Sequence, residues 1–579
     1  MRDRRRIGWR GRVSAAMAAS LAVAMLSACT EDPPVSVGVQ DSPGTGGTVR
    51  ILTAQPGFAT LDPQRIFVTT EANVSKLITR TLTTFRAAPG KEGGELVGDL
   101  ATDTGRPNED NTAWDFTLRD GIKWDNGKSV TCEDVRYGVL RNFDAANEED
   151  AVITGGPPYP KQWLDVPDDY RGPRVDGIDD VGGVTCSDDK TIHFDLKEPA
   201  GTFPYATAMS AFSPVPEAAD TWADYGLAPM STGPYRLTEY RPAEDGGQGT
   251  AVFERNPYWD SRIDPVRRAA PDRIVWEFGV DPQYAAQQIV ADNPEFSNAV
   301  MYDNIPSNFI QQVINDDQLS RQLVNGATST VRYMAINTAT VTDVDCRRAL
   351  AYAFNKRKYL DVLGGELFGT YATTMLAPDD PAHKDFDTYG LANKPDGDMD
   401  KARELLDTTD CPDSLALDVA GSDLGRRYAD TVVTTYGRLG ITVKVHEFSP
   451  DTYYDEIARP SAQHDLVLAA WAPDWPGGSG VIPALFSGEL ILDNANSNFS
   501  LLDDADVNGA IEVALDETDE AASYSLWGDL DEQIQELAAV VPINFVTVNL
   551  LCGKDVRGAF VNAQWSSVDV GSLGLATGS

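Results

Sequence analysis

Everything after residue 28 must fold in water, and the first 28 residues are the reason. Arg2, Arg4, Arg5, Arg6, Arg10 and Arg12 form a basic head, Ala15 to Leu26 is apolar, and Leu26-Ser-Ala-Cys29 closes the run. A basic head, a short apolar stretch and small residues before a cut site make a secretory signal peptide, and this stretch is too short to be a spanning helix. No later segment approaches the roughly 18 apolar residues that a membrane helix needs. What remains, about 550 residues, exceeds the size at which a single core stops growing, so two or three lobes are expected.

Leu-Ser-Ala-Cys resembles the lipobox of bacterial lipoproteins. That resemblance implies cleavage before Cys29, a diacylglycerol on its thiol, and residence on the outer face of the cytoplasmic membrane. Residues 29–47 are Pro, Gly, Ser, Thr and acid with almost no large apolar side chain, which reads as a flexible tether. The formal charge is −40 for the whole chain, and removing 1–28, with six arginines and one aspartate, makes the remainder more negative still. Such a surface repels phosphate backbones, so nucleic acid is excluded as a partner. Beyond Cys29 there are Cys132, Cys186, Cys346, Cys411 and Cys552. An odd number outside the cell leaves at least one unpaired or paired with another chain. We expect Cys132 to join Cys186 and Cys346 to join Cys411, with Cys552 free.

Local patterns are mixed α and β throughout. Thr48 onward reads as a strand, Glu71 to Phe85 has helical spacing, and Trp114 to Val135 reads as two short strands, turns at Asp120-Gly121 and Asp125-Asn-Gly127, and a helix capped by Thr131. Helices are also expected at Val344–Tyr359, Asp400–Leu406 and Gly425–Leu439. Leu466 to Ala470 is a continuous apolar run, as in a strand buried on both faces, and Trp471-Ala-Pro-Asp474-Trp475-Pro-Gly-Gly stops it in a loop. An acid among indoles at a strand end suits an ammonium group, through a charge-assisted hydrogen bond and apolar cover.

Motifs for chemistry fall short. Gly121 to Ser129 has one residue too many for a phosphate-binding loop. Asp504-Ala-Asp-Val-Asn-Gly509 starts like a calcium loop, yet its twelfth position is Leu515 where a bidentate glutamate is required, so a helix start is the better reading. The four histidines are scattered and no Cys-x-x-Cys exists, so no metal site and no cofactor are expected.

The stretches WDFTLRDGIKWDNGKSVTCEDVRYGV from Trp114, STGPYRLTEY from Ser231, ERNPYWD from Glu254, VRYMAINTAT from Val331, CRRALAYAFNKRKY from Cys346 and HDLVLAAWAPDWP from His464 carry a resemblance. In that order, and across nearly all of the mature chain, they are similar to the solute-binding proteins of peptide-type ABC importers, family 5, cluster C. The resemblance implies an α/β, type II periplasmic-binding-protein-like fold with two hinged main lobes and an inserted one. Lobe I would be 48–83, 193–328 and 542–579, lobe II 84–192, and lobe III 329–541, with ligand held between lobes I and III. It also implies that Asp474 pairs with the ligand's α-ammonium group and that Trp471 and Trp475 flank it. Phe67 and Val68 in lobe I and the strand carrying Thr330 and Arg332 would face the same cleft.

Two departures stand out. Ala472 and Thr330 occupy the positions of a disulfide found in some members, and Leu468-Ala-Ala470 lacks the arginine that holds a ligand carboxylate in others. The implied role is a monomeric, lipid-anchored, non-enzymatic receptor that takes a peptide or peptide-like solute to ABC permease and ATPase subunits. A sensor or chaperone-like lipoprotein on the same fold, and an extracellular hydrolase, are the rival classes.

Overall fold

The computed structural model describes residues 42–66, 68–144, 153, 159–179, 181–244, 246–450, 452–493 and 496–578. The expected signal peptide, Cys29 and Phe67 lie outside the described residues. Among the described residues no helix is long and apolar enough to cross a membrane. The Gly44 amide donates to the Leu575 carbonyl at 2.8 Å and the Gly46 amide to the Ala270 carbonyl at 2.9 Å. The end of the expected tether is therefore bound to the folded body, because backbone pairing needs no large side chain.

Three sheets organise the chain. A five-stranded sheet has the order Ala299–Met301, Thr48–Leu52, Arg273–Phe278, Gly249–Arg255, Tyr235–Arg241. Thr48–Leu52 runs parallel to both of its neighbours, and the other pairs are antiparallel. Alternation in Arg273–Phe278 places Ile274, Trp276 and Phe278 on one buried face with Val49, Ile51 and Phe253. A four-stranded sheet, Arg106–Pro107, Ala113–Thr117, Thr191–Asp195, Val184–Cys186, carries helix Cys132–Arg141, and the Cys132–Cys186 disulfide ties that helix to the edge strand.

The six-stranded sheet runs Gly369–Tyr371, Val540–Leu551, Leu323–Ile336, Leu466–Trp471, Ser414–Ala420, Thr442–Phe448. It is covered on both faces: Leu466 and Leu468 enter the core with helices Val344–Ala353 and Asp423–Gly437, while Val467 and Ala469 enter the core with Ile482, Val507 and Trp527. Burial on both faces is why this strand needs no polar alternation. A second disulfide, Cys346–Cys411, braces the helical side.

Two of these strands are long enough to serve two cores. Val324, Val548 and Leu550 pack with the five-stranded sheet, whereas Val331, Tyr333, Val540 and Phe545 pack with the helices of the six-stranded sheet. The pairing of Leu323–Ile336 with Val540–Leu551 slips between Ala327 and Val331, between the two cores. The ladder is thus interrupted between the two cores.

Local expectations were amended in three places. The helix expected over Glu71–Phe85 spans Thr69–Ser75 only, and Thr83–Phe85 forms a strand with Leu96–Gly98. The carbonyls of Leu77 and Ile78 accept amides from Thr232, Gly233 and Tyr235, and Arg80 is drawn onto Asp99, so tertiary partners take the groups a longer helix would have used. The expected Val344–Tyr359 helix breaks at Phe354, where Asn355 caps a second helix, Lys356–Asp361, by accepting from the Lys358 amide at 2.8 Å. After Ala113–Thr117 the expected second strand is reduced to a single bridge between Lys123 and Ser129.

Candidate functional site

The loop that follows strand Leu466–Trp471 is held by side chains from distant parts of the chain. The Gln564 side-chain amide donates to the carbonyls of Pro473 at 3.1 Å and Asp474 at 2.8 Å. Trp475 is buried, stacked edge-on against Tyr159 and Trp163 with centroids 4.9 and 5.8 Å away, and its indole donates to Ser479 Oγ at 3.0 Å. Gly478 adopts φ +28°, and a Cβ there would collide with Trp527, so the loop can close this tightly only with glycine.

Behind the loop lies a cavity of about 110 Å³. One wall is a helical row, Thr69, Ala72, Ser75, Lys76 and Thr79, that continues past the end of helix Thr69–Ser75. The opposite wall is Ala472-Pro473-Asp474 with Tyr159, and the remainder includes Met209, Ser213, Arg267, Gln564 and Trp565.

Asp474 accepts a hydrogen bond from the Tyr159 hydroxyl, across 315 residues of chain. Burial pushes the Asp474 carboxyl above the usual carboxylate range, and the Tyr159 hydrogen bond only partly opposes that. Burial and the adjacent carboxylate together push the Tyr159 phenol well up. No cation stands against Asp474 among the described residues. The other charges at the cavity are matched. Lys76 Nζ sits 2.8 Å from Asp569 and 4.4 Å from the centre of the Trp565 ring. Burial pulls the Lys76 ammonium down, with Asp569 partly restoring it. Arg267 donates to both oxygens of Asp99, at 3.0 and 2.7 Å, and reaches Asp264 at 3.3 Å, while Arg80 holds Asp99 at 2.7 Å. Burial opposes the charge of Asp264, but Arg267 and Arg80 outweigh it and hold the carboxyl at about 2.

Of the described residues expected at the site, Asp474 lines this cavity, and Val68, Thr330, Arg332, Trp471 and Trp475 do not. Trp471 packs on the helical core and donates its indole N–H to the Gly480 carbonyl at 3.0 Å. Trp475 supports the loop from behind. Val68 is 48% exposed before helix Thr69–Ser75, between Ile66 and Thr69, which do line the cavity. Thr330 hydrogen-bonds the Ser566 hydroxyl at 3.1 Å. Arg332 shares the strand face of Met334 and Ile336 and feels Tyr359 and Tyr428, away from the cavity. Sequence reasoning missed Lys76, Tyr159, Arg267, Gln564 and Trp565. The helical row through Lys76 was readable as a periodic face; nothing local marked the other four, which the topology alone brings together. Among the described residues, no group of three or more His, Cys, Asp and Glu side chains is arranged to hold a metal ion.

The family model for bacterial extracellular solute-binding proteins, family 5 (middle region), matches residues 95–490. The dipeptide-binding protein DppE of Bacillus subtilis (strain 168) is 21% identical over 480 residues, covering 79% of this chain and 82% of that protein. The periplasmic murein peptide-binding protein MppA of Escherichia coli (strain K12) is 24% identical over 487 residues, 81% of this chain and 83% of that one. Among solved structures, the clavulanic acid biosynthesis oligopeptide binding protein 2 superposes with a TM-score of 0.85 at 30% identity, over 94% of this chain and 99% of that one. DppA of Helicobacter pylori, solved in complex with the peptide STSA, superposes with a TM-score of 0.70 at 18% identity, over 92% of this chain and 99% of that one.

Proposed function

The chain belongs to family 5 of the bacterial extracellular solute-binding proteins, binders rather than enzymes, with their type II periplasmic-binding-protein fold, and on that premise we propose that it captures an amine-bearing peptide or peptide-like solute for an ABC importer. The observation that carries this reading is Asp474: a partly buried carboxylate, facing a cavity, with a phenol and no cation against it. An incoming ammonium group supplies the missing charge, and in a dry cleft that pair is a strong, charge-assisted contact. The names of the relatives, a dipeptide binder and a murein peptide binder, support a peptide-like ligand.

The break in the strand ladder between the two cores supports closure of the lobes around the ligand. Segments 48–83, 193–328 and 542–579 form one lobe, 329–541 the facing lobe and 84–192 the inserted lobe, and the long strands Leu323–Ile336 and Val540–Leu551 act as the hinge. At about 110 Å³ the cavity is smaller than the roughly 300–1,000 Å³ of pockets that enclose drug-sized ligands. It accommodates the amine end of a ligand, and the lobes open to admit the rest. The mature protein is a monomer tethered by a lipid on Cys29, and it hands its solute to membrane permease subunits powered by ATPase subunits.

Native mass spectrometry of the purified protein, followed by calorimetry with whatever amine-bearing solute is retained, tests the reading. Asp474→Asn is expected to weaken that binding by about 1.5 to 3 kcal/mol, the range for hydrogen bonds to charged groups. A loss of no more than a few tenths would remove Asp474 as the anchor.

A further inference from the structure

Charge accounting around the cavity says more about the ligand than its amine. Lys76 is balanced by Asp569, and the two guanidiniums of Arg80 and Arg267 are balanced by the two carboxylates of Asp99 and Asp264, all of them buried. Asp474 is left over, so the cavity and its ion pairs carry one uncompensated negative charge. An unpaired charge in a partly buried site is costly, and an occupant of net charge +1 neutralises it. A zwitterion brings its own carboxylate, and the excess negative charge returns.

The remaining polar groups of the wall are suited to uncharged oxygen acceptors. An ammonium has three N–H donors, and Lys76 Nζ makes one hydrogen bond, to Asp569. Trp565, which is 7% exposed, has no acceptor for its indole N–H, and the fully buried Ser213 hydroxyl has no partner. Buried donors without acceptors are rare and cost stability. Carbonyl oxygens satisfy them without adding charge.

We infer that the cavity selects a net-cationic fragment: a free amine on Asp474, followed by uncharged carbonyl groups that accept from Lys76 and Trp565, with no free carboxylate inside. The inference rests on the reading of Asp474 as the amine anchor. It identifies the occupant as the amino-terminal part of a peptide whose carboxyl group is amidated, esterified or placed beyond the cavity.

Calorimetry on the full chain with three probes tests this: alanyl-alaninamide, alanyl-alanine free acid and N-acetyl-alanyl-alaninamide. The amide is expected to bind at least tenfold more tightly than the free acid, and the acetylated compound not at all. In Asp474→Asn, an isosteric change that neutralises the cavity, the preference for amide over acid should shrink to within about twofold. Trp565→Phe should weaken the amide severalfold without altering the preference. Equal or tighter binding of the free acid, with the acetylated compound still excluded, overturns the inference and leaves Asp474 as the anchor. Binding of the acetylated compound as tight as that of the amide, or binding of none of the three, overturns both.

Discussion

Burial pushes the Asp474 carboxyl above its ordinary value, and the Tyr159 hydroxyl only partly opposes that. A bound ammonium opposes that shift, so ligand binding and ionisation of Asp474 are linked. The sign is fixed by the direction of the shift. The free protein's carboxyl is raised, the ligand lowers it, and affinity is therefore full where Asp474 is already ionised and falls as pH drops through the raised value. Calorimetry of an amine ligand over a descending pH series should show this fall, and Asp474→Asn should abolish it. The carboxylate and its aromatic setting were legible in WAPDWPGG, since residue types and breakers are local facts. Its isolation from cations was not, because that depends on which side chains are absent from a space that six separate segments enclose.

At the scale of elements, local chemistry decided most starts and tertiary capture decided several ends. Asp504 illustrates the first: its carboxylate accepts the amides of Asp506 and Val507, both at 3.1 Å, and opens helix Ala505–Asp516. Asp504→Ala should lower stability by about 1 kcal/mol in urea denaturation, the usual cost of a lost N-cap, and added calcium should not shift the midpoint of either form. A calcium-dependent shift would revive the loop reading of that acidic cluster. The segment after Ser75 illustrates the second. Its apolar spacing promises helix as far as Phe85, yet the Ser231–Tyr235 segment takes the Leu77 and Ile78 carbonyls and Asp99 takes Arg80. Periodicity cannot foresee this, since Asp99 lies 19 residues beyond Arg80 and the Ser231–Tyr235 segment more than a hundred residues beyond Ile78.

For the molecule as a whole, the cross-links brace single bodies. Each disulfide lies within one body, Cys132–Cys186 on the four-stranded sheet and Cys346–Cys411 on the helical side of the six-stranded one, so neither joins one body to another. Alkylation in denaturant without reductant should label Cys552 alone of these five cysteines, and all five after reduction; labelling all five beforehand would refute both bridges. Several properties of the chain are readable in the sequence alone: a strongly acidic composition, strands and helices in a recognisable order, and an acid set among indoles, prolines and glycines. These are readable because they depend on composition and on neighbours within a few positions. The identity of the cavity, its Lys76–Asp569 and Arg267–Asp99 pairs, Tyr159 on Asp474, and the passage of two strands through two cores were decided only by tertiary structure. Each of these joins segments from distant parts of the chain, and whether a buried charge is matched is a property of the enclosed space, which no single stretch of sequence contains.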